Sequence, residues 1–375
     1  MDNISDILFQ AVVALTWKNL VMMAVGGVLI YLAVAKDYEP VLLLPIGFGA
    51  ILTNLPLTGI ADASEHGLLA ILYEAGVATE LFPLLIFIGI GAMTDFGPLL
   101  ENPKMALLGA AGQIGIFGTL MLALTLGFNL NEAASIGIIG AIDGPTAIYV
   151  SSRLAPELLG PIAVAAYSYM SLVPIIQPPV MRLLTTDAER KVRMPYSQRD
   201  ISRTTRVLFP VVVTVVVSLI SPKASPLIAT LMFGNLMRES GVVERLSKSA
   251  QNEIANVTTI FLGLTIGSTM TGASFIRTET ILIMAMGLLA FVLDTVGGVL
   301  FGKLMYLLSG KKFNPLIGAA GISAFPMSAR IVQKVGQEYD LNNFLLMHAM
   351  GANTAGQLGS VIAGGIVLAL MSGAF

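Results

Sequence analysis

The chain contains no cysteine, and only 12% of its 375 residues are charged. The first absence excludes disulfides, a thiolate nucleophile and any Cys-ligated metal or cluster. The second says more, because a water-soluble domain carries charge on roughly 25% of its residues. Apolar residues make up 55%, so the excess must face lipid and the chain reads as an integral membrane protein. Only two histidines are present, His66 and His348, too few and too far apart for a transition-metal site or a His-based catalytic centre. A formal net charge of −2 and no basic tract leave a nucleic-acid partner without support. What is abundant is Gly, at 38, with 18 Pro. That combination argues for close helix packing and broken helices rather than a plain bundle.

Continuous apolar runs, rather than alternating short strands, exclude a β-barrel and predict helices. The runs cover about 19–35, 40–58, 80–94, 105–127, 132–152, 158–181, 207–221, 224–237, 256–275, 280–307, 315–333 and 342–373. Most approach the ~20 residues that a spanning helix needs. Residues 1–18 lack a basic n-region and a small-x-small cleavage site, so they read as a short interfacial segment rather than a signal peptide. Seven of the 21 basic residues, Arg182, Arg190, Lys191, Arg193, Arg199, Arg203 and Arg206, fall in one long polar connection, 182–206. The positive-inside rule makes that loop cytoplasmic, together with 238–248 and 309–313. The Lys- and Arg-free stretches 59–67 and 128–132 are then outside.

The same connection separates two parts, 19–181 and 207–375, that repeat one another. Ile136-Gly137, Gly140, Pro145 and Arg153 match Ile317-Gly318, Gly321, Pro326 and Lys334 at a constant offset of 181. Phe48-Gly49 pairs with Phe233-Gly234, and Ile86-Phe87-x-Gly89 with Ile260-Phe261-x-Gly263. Equivalent loops carry opposite sidedness, so the repeats are inverted, which requires an odd number of crossings in each. With about six apolar segments per repeat, one must fail to cross. The segments interrupted by Gly, Pro and polar residues are 132–152 and 315–333. The expected fold is an all-α polytopic membrane protein of two inverted-topology repeats, with discontinuous or re-entrant helices at the midplane, as in inverted-repeat ion transporters.

A charge at membrane depth costs at least ~2.5–3.5 kcal/mol, so each one is a functional candidate. Asp143 leads, in Gly140-Ala-Ile-Asp143-Gly144-Pro145-Thr146. Gly-Pro after the carboxylate frees backbone carbonyls, and with Thr146 these are the hard oxygens that suit Na⁺, while the carboxylate alone suits a proton. The blander reading makes Asp143 a helix cap in a short loop. In the second break Asn314 and Ser323 offer neutral oxygens. Arg330, opposite Tyr149 in the repeat alignment, either neutralises Asp143 when no cation is bound or snorkels to the cytoplasmic interface. Tyr167 and Tyr169 can bond a carboxylate or relay a proton, although packing is the commoner role of a membrane tyrosine. Asn353 and Gln357 lie one turn apart on one helix face and can supply the facing half of a site. Asp95 reads as a cytoplasmic helix end, and Asp294, in an otherwise apolar run, receives no role. Without a phosphate-binding loop, these residues lead to a cation-coupled transporter or pump.

The motifs resemble the β subunits of the biotin-dependent, sodium-pumping decarboxylases, a group that includes the oxaloacetate, methylmalonyl-CoA and glutaconyl-CoA enzymes. The resemblance covers nearly the whole chain. It rests on Lys36-Asp-Tyr-Glu39-Pro40, Leu85-Ile-Phe-Ile-Gly-Ile-Gly-Ala-Met-Thr-Asp95-Phe-Gly-Pro and Asp143-Gly-Pro-Thr. It rests equally on Tyr167-Ser-Tyr169-Met-x-Leu-Val-Pro-Ile-Ile-Gln-Pro-Pro179 and Ser323-x-x-Pro-Met-x-Ala-Arg330. It implies a subunit of the bacterial cytoplasmic membrane that decarboxylates carboxybiotin and couples this to Na⁺ export, consuming a proton from the outer side. The implied partners are a carboxyltransferase α subunit, a biotin carrier protein that holds the biotin, and a small membrane-anchoring subunit. Association of several β subunits is compatible with it. By the same resemblance Asp143 is central to Na⁺ binding, Tyr169 joins it in a proton relay, and Asn314, Gly318, Ser323 and Arg330 carry the second half. Arg330 can equally hold the carboxylate of carboxybiotin. With Thr146 and Asn353 from the residue reading, these make up the expected site. The competing reading is a stand-alone Na⁺-coupled secondary transporter or antiporter.

Overall fold

In lipid, backbone groups must be satisfied within their own segment, so uncharged apolar runs fold as helices. The computed structural model describes residues 10–195, 200–371 and 373, and among them every regular element is helical. Residues 1–9 of the expected interfacial segment and Arg199 of the basic loop lie outside the described residues. In the first half the main helices are α1 (Trp17–Lys36), α2 (Pro40–Thr53), α3 (Leu81–Met93), α4 (Met105–Ala111), α5 (Ile114–Thr125), α6 (Leu130–Gly137), α7 (Gly144–Leu154) and α8 (Leu159–Leu184). The second half holds α9 (Arg203–Ile220), α10 (Ser225–Ser240), α11 (Ala255–Ser268), α12 (Thr278–Leu308), α13 (Met327–Tyr339) and α14 (Leu346–Met371).

Among the described residues six spans are long and apolar enough to cross a membrane: α1, α4 with α5, α8 with the turn before it, α9, α12 and α14. A seventh arises if Leu68–Ala78 and α3, bent by 62°, count as one. Four helices fall short of the ~20 residues that a spanning helix needs: α2, α3, α10 and α11 have 14, 13, 16 and 14 residues. The runs 40–58 and 256–275 end early because one side chain closes both. The Asn54 amide donates to the Ala50 and Met270 carbonyls at 2.8 Å each, and its oxygen accepts from Gly272 N at 3.2 Å.

These four short helices pack across the halves, α2 on α11 and α3 on α10. Glycines make the approach possible. A Cβ at Gly49 would lie 2.3 Å from the Leu264 carbonyl oxygen, and one at Gly234 2.0 Å from that of Ile88. A Cβ at Gly91 would lie 1.8 Å from the Leu231 oxygen, and one at Gly267 2.3 Å from that of Ile46. The contacts are reciprocal, pairing Gly49 with Gly234 and Gly91 with Gly267. The second pairing runs two residues later than the Ile-Phe-x-Gly match in sequence.

Helix α12, at 31 residues, is roughly 46 Å long and spans the bundle's full depth. Near its start a cavity is lined by Phe128, Glu132, Leu158, Thr278 and Glu279, which brings both ends of the 130–158 segment together. Near its other end Lys303 donates to the Leu184 carbonyl at 3.0 Å and pairs with Glu189 at 3.4 Å. The two interrupted segments are broken as expected. In the first, α6 passes into a tight turn, Ile138–Ala141, before α7 begins; in the second, a turn at Pro315–Gly321 leads through an extended stretch to α13.

The basic connection is built into the structure rather than solvated along its length. Arg182 pairs with Glu338 at 2.5 Å, Arg193 with Asp340 at 2.6 Å, and Arg190 stacks over Tyr339 at 4.6 Å. The Arg190 carbonyl accepts from Asn314 and from Asn343, both at 2.9 Å, so the two ends of the second broken segment meet on one peptide group. The Arg193 guanidinium beside Asp340 holds its carboxyl below the usual carboxylate range. A depressed carboxyl contributes its tie above the ordinary value and loses it as pH falls through the lowered one. Asp340→Asn is therefore expected to speed proteolysis of the 182–206 loop at neutral pH, and acidification to do the same to the wild type. Equal cleavage rates in variant and wild type would show that the pair does not anchor the loop.

Candidate functional site between two helix breaks

Asp143 stands at the sharpest departure from helix in the first half. The turn before it ends at Ile142, whose φ of 51° puts a β-branched residue in the left-handed region. Such a conformation costs roughly 1–3 kcal/mol and persists only where the surroundings impose it. Asp143 is then extended, with φ −136°, and Gly144-Pro145 open α7. Only glycine fits before that proline, because a Cβ at Gly144 would lie 2.0 Å from the Tyr167 ring.

The Asp143 carboxyl is buried, with three neutral side chains around it. Thr146 Oγ1 donates to Oδ2 at 2.7 Å, and from α14 Gln357 Nε2 and Ser360 Oγ donate at 3.2 and 3.3 Å. No ion pair reaches it among the described residues. A buried carboxylate held by neutral donors alone is incompletely compensated, and a bound monovalent cation is the natural complement.

The second break faces the first. A cavity of about 420 Å³ is lined by Asp143, Pro145, Tyr167, Ser323, Phe325 and Gln357, with Leu42, Ile90 and Thr259 of α2, α3 and α11 closing the other side. Ser323 Oγ donates to the Gly356 carbonyl at 3.0 Å. Asn353 Nδ2 donates to the Ile322 carbonyl at 2.6 Å, while its Oδ1 accepts no hydrogen bond within the chain. One turn apart on α14, Asn353 thus holds the second break and Gln357 the first. No cluster of three His, Asp or Glu side chains suited to a multivalent metal occurs among the described residues.

Four of the expected site residues sit together here, namely Asp143, Thr146, Ser323 and Asn353; four others do not join them. Tyr169 donates its hydroxyl to the Met284 carbonyl on α12, and its ring packs beside Gly287. Residues two apart on a helix point about 200° apart, so only one tyrosine of the pair can face the cavity, and that one is Tyr167. Its hydroxyl is buried without a hydrogen bond among the described residues, and its ring lies against Gly144, next to Asp143. Asn314 is occupied at the basic loop, donating to the Arg190 and Val192 carbonyls. Gly318 packs on α12, where a Cβ would lie 2.0 Å from the Gly298 oxygen. Arg330 is exposed and makes no ion pair with Asp143; it follows cavity-lining Pro326 by one turn, at the rim. Ser360 went unnoticed in sequence, although it lies three residues after Gln357 and so shares its face.

The tyrosines can be separated by experiment. Tyr167→Phe is expected to weaken the apparent Na⁺ affinity of the assembled complex about tenfold, the loss of one buried ligand or relay bond. Tyr169→Phe is expected to cost about 1 kcal/mol of stability and leave the Na⁺ dependence unchanged. The reverse pattern, read from titrations of Na⁺ binding, would return the role to Tyr169.

Comparison with known proteins joins this geometry to a family. A model described as the Na⁺-transporting oxaloacetate decarboxylase beta subunit matches residues 18–371. The chain is 55% identical to the glutaconyl-CoA decarboxylase subunit beta of Acidaminococcus fermentans, over 96% of this chain and 95% of the relative. It is 54% identical to the methylmalonyl-CoA decarboxylase subunit beta of Veillonella parvula, over 96% and 95%. With the oxaloacetate decarboxylase beta chain of Klebsiella pneumoniae the identity is 49%, over 93% and 94%. The broken helices and the buried carboxylate between them therefore belong to a member of the Na⁺-transporting decarboxylase β-subunit family.

Proposed function

We propose that the chain receives carboxybiotin from a biotin carrier protein, decarboxylates it and couples the release of CO₂ to Na⁺ export, with a proton consumed. The observation that carries this reading is the cavity ending on Asp143. Its lining includes Met93 and Thr94, whose carbonyls accept from Arg238 and Asn235 at 2.8 and 2.9 Å. It therefore opens toward the end of the bundle that holds the basic loops, the cytoplasmic end by their charge. A carrier in the cytoplasm reaches the site from there. Arg330 at the rim is placed to meet the carboxylate of carboxybiotin.

Carboxybiotin loses CO₂ once its ureido nitrogen can take a proton, and a dry site with Tyr167 and Asp143 supplies proton-bearing groups. Na⁺ and a proton compete for the Asp143 carboxylate, which ties ion release to the chemistry. Thr146, Ser323, Asn353 and the carbonyls of the two breaks complete the Na⁺ ligands. The reciprocal glycine contacts support an inverted repeat. The meeting of Asn314 and Asn343 on one carbonyl supports re-entry of 315–339 from the cytoplasmic end. The shared cavity of Phe128, Glu132 and Leu158 supports re-entry of 130–154 from the other. The partners are a carboxyltransferase α subunit, the biotin carrier and a small anchoring subunit in a bacterial cytoplasmic membrane. Relatives named for three different acids point to substrate choice by the carboxyltransferase.

A stand-alone carrier or antiporter is not favoured, because the relatives are decarboxylase subunits. Purification from native membranes is expected to bring down a biotinylated protein, and Na⁺ uptake by vesicles to require carboxybiotin formation. Full-rate Na⁺ movement by the isolated chain, without biotin or a carboxyltransferase, would sink the pump reading.

A further inference from the structure

Asp294 is a buried carboxyl that the site around Asp143 does not use. It lies in the middle of α12 and is fully buried. Its Oδ1 accepts from Gly115 N, an amide freed by the break between α4 and α5 at Gly112–Gln113. Its Oδ2 makes no hydrogen bond among the described residues. Gly140 faces that oxygen, where a Cβ would stand 3.1 Å away, and a Cβ at Gly115 would stand 2.5 Å from Oδ1. The carboxyl is thus wedged between a helix break and the turn that leads, three residues on, to Asp143.

Charge alone makes this position expensive. An ionised carboxylate with one backbone amide for company costs several kcal/mol in a dry interior. The elements packed around α12 are α4, α5, α6, α8 and the turns at 138–141 and 315–321. Their titratable groups are Glu132 at the start of α6 and Tyr167, Tyr169 and Arg182 on α8. Tyr169 is bonded to Met284 and Arg182 to Glu338, so among the described residues no cation on these elements faces Asp294. Na⁺ needs several oxygen ligands at close range, and the Gly115 and Gly140 backbones leave no room for them. A proton needs none.

A polar seam leads to this group. Helices α5, α6 and α12 pack on one another. Thr119 stands one turn past Gly115, and Ser135 one turn past Glu132; both are fully buried, with hydroxyls that bond nothing in the chain. Other buried hydroxyls, on Ser151, Thr259, Thr265 and Thr295, donate to the carbonyl four residues back in their own helix. Thr119 and Ser135 make no such bond among the described residues, and buried polar groups left open in this way are the usual anchors of interior water. The seam ends at the cavity of about 270 Å³ lined by Glu132, Thr278 and Glu279. From Glu279 to Asp294 is roughly 22 Å along the helix.

We infer that Asp294 is a proton-binding site, loaded from the Glu132–Glu279 end of the bundle through the seam of Ser135 and Thr119. Resting on the carboxybiotin reading, its use is direct. The N–C bond of carboxybiotin breaks, CO₂ leaves, and the nitrogen's electron pair takes the proton. Asp294 supplies that proton by way of the Asp143 turn and is reloaded along the seam.

The test is Asp294→Asn, which keeps an acceptor for Gly115 N–H and has the shape of the protonated acid. In the assembled complex the wild type is expected to show an infrared band of a buried protonated carboxyl that the variant lacks. In reconstituted vesicles, turnover of the variant is expected to fall on the order of 100-fold, to lose its response to pH on the Glu132 side, and to keep the wild-type Na⁺ affinity. An unchanged spectrum, or a wild-type pH response, would make Asp294 a structural tie to Gly115 and overturn the inference. Should the variant not assemble, Ser135→Ala with Thr119→Val carries the same test: slowed turnover with a shifted pH response supports the seam, and wild-type behaviour removes it. The infrared readout needs no turnover, so it stands even if a wild-type complex that moves no Na⁺ were to defeat the pump reading.

Discussion

Asp143→Asn is expected to abolish Na⁺-dependent decarboxylation while the subunit still assembles. Asparagine keeps the acceptor oxygen that receives Thr146, Gln357 and Ser360, so the turn before α7 retains its local bonds. What disappears is the charge that, in the proposed function, holds the cation. Removing one member of a buried charge pair costs about 3–5 kcal/mol, which corresponds to roughly 10²–10⁴-fold in apparent Na⁺ affinity. Thr146→Ala removes one hydrogen bond and is expected to cost about 1 kcal/mol, several-fold in affinity. The contrast between the two, read from decarboxylation against Na⁺ concentration, separates a charged ligand from its supports. Wild-type Na⁺ dependence in Asp143→Asn would remove this residue from the ion site.

Gly91→Ala should do the greatest damage away from that site. Its added methyl would stand 1.8 Å from the Leu231 carbonyl oxygen, a backbone atom that cannot rotate aside. Overpacking a rigid core costs about 1–3 kcal/mol where neighbours can adjust, and here the α3–α10 crossing must open instead. The expected outcome is loss of folded subunit from the membrane, seen as aggregation on detergent extraction. Gly267→Ala, the reciprocal position, should behave alike, its methyl 2.3 Å from the Ile46 oxygen. Gly27→Ala provides the control, since nothing lies within 4 Å of a Cβ there. Normal yields of Gly91→Ala would mean that the two helices are free to separate.

Much of this architecture is legible in residues that act alone. An uncharged apolar run has no choice but helix in lipid, and Asp143-Gly144-Pro145 marks a break in one, although Pro174, Pro178 and Pro179 sit inside α8 without ending it. Helix lengths are not legible in that way. Asn54 ends α2 through a bond to Met270, 216 residues away in the chain, and no local pattern announces it. The site divides along the same line. Asp143 stands out because a charge in an apolar run needs a reason, and Asn353 and Gln357 declare a common face by spacing. Which tyrosine of Tyr167 and Tyr169 faces the Asp143 cavity depends on how α8 is rotated against α12, a tertiary property. Asn314 looked like a ligand because polar groups near a break do. Its actual partners, the Arg190 and Val192 carbonyls, belong to the end of the bundle.

The exchanged glycine contacts also dictate when the protein can fold. As the first half leaves the ribosome, the glycine faces of α2 and α3 have no partner, because α10 and α11 have yet to be made. Insertion can proceed helix by helix, but the core closes only after residue 268 has been synthesised. Until then, the newborn half must be kept from other membrane proteins by the insertion machinery. Its quality control would judge the chain late and as a whole.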